Sequence, residues 1–386
     1  MKNKTKQNKT QTKLHNMKNK IAIASAFIAA SSFSTAEIVI NDFLSFEGFV
    51  DMSYTHTDSE DFDGAESNEN SYQVDQVEIS WLFNFDTVTA QIDIDSEGSN
   101  GSNGDDVFDD SDSGSGLSEL EIEQAFVNYA LGNGDVITAG RYASMLGFEA
   151  FEPTGLYQYS TAYDFSGILG DAIAGGAGLL DGATVSEYSQ GVKFTRSTDT
   201  TFFGISVQDQ AFGSDADRLG GDVQADSSYG VEVAGSIDLG NGFTVFAGAA
   251  FEDAELGDNQ LINAYVTYET GAWLFAAEIN VSDYDDVNLV GLVNLGNVDG
   301  LTGLLMANYA YSDVASVTGR ISSINYESSD VELDILKYTV AHNYSFSDNL
   351  LLVTEVSFDD GELDVNGLGN AEGDNLTFAV ELLFTF

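Results

Sequence analysis

The side chains able to do chemistry in this sequence are overwhelmingly carboxylates set singly among apolar neighbours. Glu47 and Asp51 ("FEGFVDM"), Glu78 ("VEISW"), Asp93 ("IDID"), Glu232 ("VEV"), Glu278 ("AEIN"), Glu355 ("TEVSF") and Glu381 ("VELLF") all show this pattern. Cations in similar settings are few: Lys193, Lys337 and Arg141. Carboxylates disposed like this serve electrostatics, concentrating cations and repelling anions. Covalent chemistry is poorly served. The chain has no Cys and 3 His, of which only His56 and His342 lie beyond residue 36. His56 stands near Asp58, yet no Ser or acid motif completes a nucleophile or water-activating pair. A hydrolase reading rests on His56 alone.

The elements that must position these carboxylates alternate with a period of two, the signature of strands with one greasy face. Leu44, Phe46, Val50, Met52 and Tyr54 oppose Ser45, Glu47, Asp51 and Ser53. Val77, Ile79, Trp81, Phe83 and Phe85 oppose Gln76, Glu78 and Ser80. The pattern predicts strands at 43–56, 72–85, 86–95, 119–130, 134–142, 188–197, 201–209, 227–238, 242–252, 259–269, 272–282, 286–296, 301–312, 333–346, 349–359 and 373–386, about sixteen in all. Most have about ten residues, the length a tilted strand needs to cross hydrocarbon. Strands 119–130 and 134–142 fit the alternation less well and predict a bulge.

The gaps alternate too. Tight ones fall at 86–87, "LGNG" (131–134), "STDT" (197–200), "LGNG" (239–242), "ETGA" (269–272), "GNVDG" (296–300) and "SDN" (347–349); Asn-Gly and Asp-Gly pairs are hairpin chemistry. Between them lie mostly longer, acidic gaps, at 57–71, 96–118, 143–187, 210–226, 253–258, 283–285, 313–332 and 360–372. One rim of short turns and one of loops is the asymmetry of an outer-membrane barrel.

Charge and leader agree. From Met17, the more plausible start, "MKNKIAIASAFIAASSFSTA" has a basic stretch, a short apolar run and small residues ending at Ala36, so residues 1–36 read as a secretory signal. Seven of the 13 Lys and Arg and none of the 63 acids lie there, leaving residues 37–386 with six cations and a formal charge of −57. Nucleic acid is thereby excluded as an electrostatic partner. With no apolar run of about twenty residues, a membrane could be crossed only by a closed β-barrel. The terminal strand "NLTFAVELLFTF" alternates to a final Phe386. It looks like the carboxyl-terminal signal by which outer-membrane barrels engage their assembly machinery.

The chain resembles Gram-negative porins as a whole. Gln124-Ala125-Phe126-Val127, Gly140-Arg141, Gly147-Phe148-Glu149 and the Tyr-rich stretch at 159–163 resemble the OmpL-like β-barrel porins most. The resemblance implies an all-β, single-domain barrel over 37–386 acting as a passive channel in the outer membrane, with lipid around it and a homotrimer as a possible assembly. It also implies that the long gap 143–187, which holds the only proline, Pro153, folds inward as a constriction. Glu149, Glu152 and Asp164 would then line it, with Arg141 at the adjoining strand end. The alternation assigns Glu47, Asp51, Glu78, Asp93, Lys193, Glu232, Glu278, Lys337, Glu355 and Glu381 to the lumen, and that excess of acid predicts cation preference. No cofactor is expected. Acidic turns at Asp58, Asp61 and Asp63 and at Asp105, Asp106, Asp109 and Asp110 are candidates for Ca²⁺, without the spacing of an EF-hand. A structural, adhesive or calcium-binding surface barrel is the alternative reading.

Overall fold

The computed structural model describes residues 37–62, 64–97, 121–165, 168, 187–209, 211–212, 229–254, 257–289, 293–366 and 369–386. Residues 1–36, read above as a secretory signal, and the candidate calcium ligands Asp63, Asp105, Asp106, Asp109 and Asp110 lie outside the described residues, as does most of 166–186. The strands are β1 (Ile38–Asn41), β2 (Leu44–Glu60), β3 (Glu66–Phe85), β4 (Val88–Glu97), β5 (Glu121–Gly132), β6 (Asp135–Ala143), β7 (Tyr188–Ser197), β8 (Thr201–Gln208) and β9 (Tyr229–Gly240), followed by β10 (Phe243–Ala254), β11 (Gly257–Thr270), β12 (Trp273–Leu289), β13 (Val293–Ser312), β14 (Ala315–Glu327), β15 (Val331–Ser347), β16 (Leu350–Val365) and β17 (Gly369–Thr385).

From β2 onward each strand pairs antiparallel with its sequence neighbour, and β17 pairs with β2 from Asp374↔Glu60 to Thr385↔Phe49. That seam closes β2–β17 into a barrel of sixteen strands. Among the described residues each of these strands is thereby paired on both sides, the condition a β-structure must meet to cross a membrane. Phe386 finishes the seam by exchanging backbone hydrogen bonds with Gly48, at 2.9 Å in both directions. Below the seam β1 folds back on β2, Ile38 opposite Phe46. Its turn is held by Asn41 Oδ1, which accepts from the amides of Phe43 and Leu44.

The period-two pattern sorts the faces. On β16, Glu355, Ser357 and Asp359 are buried inward while Val356 and Phe358 are exposed outward. Ring pairs such as Phe243–Tyr268 (4.2 Å), Trp273–Tyr309 (4.4 Å) and Tyr344–Phe346 (5.2 Å) gather at the short-turn rim. Interfacial girdles are built this way. At two of the tight turns, Asn133–Gly134 (φ 57° and 85°) and Asn241–Gly242 (φ 55° and 85°), both residues take positive φ. A Cβ at Gly134 would overlap the carbonyl oxygen of Ser197, so glycine is required there.

Two sequence boundaries need correcting. The segment 286–296 is no separate strand: β12 and β13 run through it, with irregular register near Tyr284 and Val287. The expected turn "GNVDG" lies inside β13; the real turn is Asp313–Val314. Conversely 315–327, read as loop, is β14. Its outward face mixes Val317 and Ile321 with Gly319, Ser323 and Asn325, which weakened the apolar alternation. The two errors cancel in the strand count. Several expected acidic loops are also strand. β3 and β13 have 20 residues each, about twice what a crossing requires, so the long-loop rim is an extension of the barrel wall.

The lumen is not uniformly polar. Phe246, Leu261, Tyr265, Leu304, Met306, Ile324 and Ile335 on the inward faces of β10–β15 are buried, in one apolar cluster with Leu146, Phe148, Phe165 and Ile168 from the β6–β7 connection. Apolar side chains on an inner wall are stabilised by cover from solvent, and the connection supplies it.

Candidate functional site

Residues 144–165 lie along the inner wall, and their backbone polar groups are sorted by sign. Amides go to wall acids. Glu232 accepts from Ser144 Oγ (2.7 Å) and the Met145 amide (3.1 Å). Glu278 accepts from the Phe148 amide (2.7 Å) and Tyr163 OH (3.0 Å). Glu355 accepts from the Tyr159 and Ser160 amides (2.8 and 3.2 Å) and from Ser160 Oγ (2.6 Å). Carbonyls go to wall donors. Lys337 Nζ donates to Asp164 O (2.8 Å), Ser322 Oγ to Ala162 O (2.6 Å), and Thr318 Oγ1 to Tyr157 O (2.9 Å). Irregular backbone placed inside a protein requires this satisfaction.

Arg320 on β14 is the central anchor. Its guanidinium donates to Glu149 Oε1 (2.7 Å), Ser160 O (2.8 Å), Ser160 Oγ (3.0 Å), Thr161 O (2.9 Å) and Thr339 Oγ1 (3.2 Å). Glu149 also accepts from Gln158 Nε2 and the Ala162 amide, both at 2.6 Å, and so staples the loop to itself. Sequence reasoning missed Arg320 because its strand was read as loop.

The opposite wall, β2–β5, keeps its acids on the other side of the loop. A space of about 350 Å³ is lined by Asp75 and Gln76 of β3 and by Tyr159, Ser160, Thr161 and Asp164 of the loop, whose Tyr159 OH donates to Ser53 Oγ of β2 at 3.3 Å. Asp75 reaches the lumen through a bulge. Asp51 pairs with Gln76 and Met52 with Val74, so Asp75 is the extra residue of β3. It is held there by Ser53 Oγ (3.1 Å) and by Gln73 Nε2 at 2.5 Å. A second bulge does the same on β5: Asp93 pairs with Gln124 and Ile94 with Ile122, which leaves Glu123 unpaired. Bulges re-aim side chains in this way. Both residues fall outside a strict alternation and were missed; the weak alternation of 119–130 was the signal for the second.

The expected site residues divide accordingly. Asp164 borders the space, and Glu152 faces β3, accepting from Gln76 Nε2 (3.1 Å) and Tyr188 OH (2.6 Å). Glu149 bonds within the loop, and Arg141 Nε donates to Glu123 O (2.7 Å) while its guanidinium lies 5.9 Å from the Tyr188 ring centre. Among the expected lumen residues, Asp51, Glu78, Asp93, Glu232, Glu278, Lys337, Glu355 and Glu381 are buried on the inner face. Glu47 is half-buried. Lys193 Nζ donates to Ala143 O (3.1 Å) and sits 4.3 Å from the Tyr142 ring centre. Asp58 is exposed on the upper part of β2, and Asp61 Oδ1 accepts from the Ala65 amide (2.9 Å), shaping the β2–β3 turn. The Nδ1 of His56 meets Asn70 Oδ1 (3.1 Å) and Glu69 O (3.2 Å), an amide and a carbonyl rather than a catalytic acid. His342 stacks on Tyr311 on the outer surface.

Comparison with known proteins follows this geometry. Residues 44–167 match the family described as "Putative beta-barrel porin-2, OmpL-like". No curated protein matches the sequence. Among solved structures, the outer membrane channel DcaP of Acinetobacter baumannii is similar with a TM-score of 0.59 and 10% identity, over 89% of this chain and 97% of that one. OmpT of Vibrio cholerae gives 0.57 and 12% identity over 91% and 100%. Salmonella typhi OmpF, in a complex with daunomycin, gives 0.56 and 12% over 91% and 100%. At such identities the structural likeness is one of fold. With the family match over β2 to the inward loop, the chain has the closed sixteen-stranded barrel fold seen in outer-membrane channels, and its residues 44–167 match the OmpL-like porin family.

Proposed function

We propose that the barrel is a water-filled diffusion channel for small hydrophilic solutes, preferring cations, whose constriction lies between residues 159–164 and the bulged segment of β3. One observation carries this reading: the space there is bordered by Asp75 and Asp164, while Arg320 and Lys337 donate to loop carbonyls. In aqueous surroundings one ionised carboxylate about 4 Å from a monovalent cation contributes about 1 kcal/mol. That corresponds to about a fivefold rise in local cation concentration. The outward apolar band would meet lipid and, in a homotrimer, neighbouring copies; β17 and Phe386 would engage the assembly machinery.

The test is the reversal potential in planar bilayers under a salt gradient, measured around 0.1 M and around 1 M. Charges on the outer rim act through solution and are screened beyond about 10 Å and about 3 Å respectively. Cation preference persisting at high salt supports lumenal carboxylates. Preference that vanishes there makes the acidity a rim effect, and anion preference overturns the reading.

A further inference from the structure

The lumen wall carries a second feature that conduction does not require. Glu78 of β3, Glu123 of β5 and Glu152 of the inward loop each bring a carboxylate oxygen within 4.8 Å of the others. Three formal negative charges at that separation repel strongly. Two of the oxygens are also orphaned. Glu78 is 6% exposed; Ser80 Oγ donates to its Oε1, but its Oε2 has no hydrogen-bond partner. Glu123 Oε2 is likewise buried without one. A buried carboxylate oxygen lacking a donor is costly unless something else supplies positive charge.

We propose that Glu78, Glu123 and Glu152 form a calcium-binding site on the lumen wall. The donor set is all oxygen and all anionic, which selects a hard cation over zinc or copper. Three oxygens lying within 4.8 Å of one another can all reach one ion at calcium–oxygen distances of about 2.3–2.6 Å, and three protein carboxylates suit calcium, whereas magnesium keeps several waters and usually takes one or two. The framework is fixed from outside the cluster. Tyr188 OH and Gln76 Nε2 orient Glu152, the β5 bulge aims Glu123, and Ser80 holds Glu78. Because Glu152 belongs to the loop and the other two to the barrel, a bound ion would bridge the two. The remaining coordination positions would be filled by water.

The full mature channel, folded in detergent and stripped with a chelator, is titrated with calcium chloride by calorimetry in a buffer of physiological sodium chloride. The proposal expects one saturable site per chain, at least tenfold weaker in Glu123→Gln and in Glu152→Gln, and weaker for magnesium chloride. Both substitutions preserve shape, and heat-modifiable migration on gels verifies folding. A wild-type chain without a saturable site overturns the proposal with no variant needed. So do isotherms that both variants leave unchanged, which would put the calcium on the outer loops. Binding is read without conduction, so this test and the selectivity test fail separately.

Discussion

Arg320→Met removes the inward loop's main anchor while keeping the volume of the side-chain stem. The guanidinium is buried, and it makes five hydrogen bonds, four of them to residues 149–161. Severing a buried ion pair at one partner costs about 3–5 kcal/mol, mostly because the other charge is left behind. Here the lower figure applies, since Glu149 keeps its bonds from Gln158 and Ala162. About 3 kcal/mol shifts the ratio of seated to unseated loop by roughly 150-fold. Single-channel recording in planar bilayers should therefore show larger, noisier openings with weaker cation preference. Arg320→Lys should fall between, because an ammonium keeps the charge but cannot reach carbonyls and carboxylate at once. Adding Glu149→Gln to Arg320→Met should recover part of the loss, since the stranded charge is gone. Unitary currents identical to wild type in a folded Arg320→Met channel would refute the anchoring role.

Asp75→Asn keeps the bulge and its shape but removes one carboxylate from the constriction; the cation-to-anion permeability ratio should fall by up to about fivefold, read from reversal potentials. Phe148→Ala empties a buried position where the ring meets Tyr265 edge-on at 5.7 Å. A loss of about 3–5 kcal/mol is expected, and it should appear as faster hydrogen exchange at residues 144–165 with the barrel strands unchanged. Deleting Phe386 removes both backbone bonds to Gly48 and the ring beside Phe46, at 6.3 Å. Less protein should reach the outer membrane, as scored by fractionation and heat-modifiability.

Most of the barrel was legible because its determinants are local. Alternation needs only neighbours two residues apart, and Asn-Gly turns announce themselves. β14 was hidden because the feature that makes it important also spoils its pattern: Arg320 and Ser322 face inward to hold the loop, while Gly319 and Ser323 thin the outward apolar face. The split of β12 from β13 failed for a different reason: Gly296, with φ 67°, resembles a turn in sequence yet sits inside a strand that pairs irregularly with its partner. Within the site, the lumen phase of Glu78, Glu278 and Glu355 follows from alternation. That of Asp75 does not, since it is the extra residue of a bulge; for Glu123 the weak alternation of 119–130 predicted a bulge without saying which residue it re-aims. The apolar inner staves were missed because alternation tells two faces apart without saying that both can be greasy.

The acid content of the chain is therefore a poor measure of the field inside the bore. Glu232, Glu278 and Glu355 point toward the lumen, but each accepts backbone amides of residues 145–160. A carboxylate can take several such donors at once, and an ionised acceptor binds an amide roughly twice as strongly as a neutral one. An irregular segment held inside a cylinder, with amides aimed at one wall, thus favours acids there for reasons unrelated to solute. The same logic places Arg320 and Lys337 where carbonyls point outward, removing the cations that would otherwise balance the bore. Under the proposed function, selectivity would then fall to the β2–β5 wall, and above all to the bulge residue Asp75, which borders the same space as Asp164. On that reading an extra residue in a ladder, rather than the number of acids, would set the charge a passing ion meets.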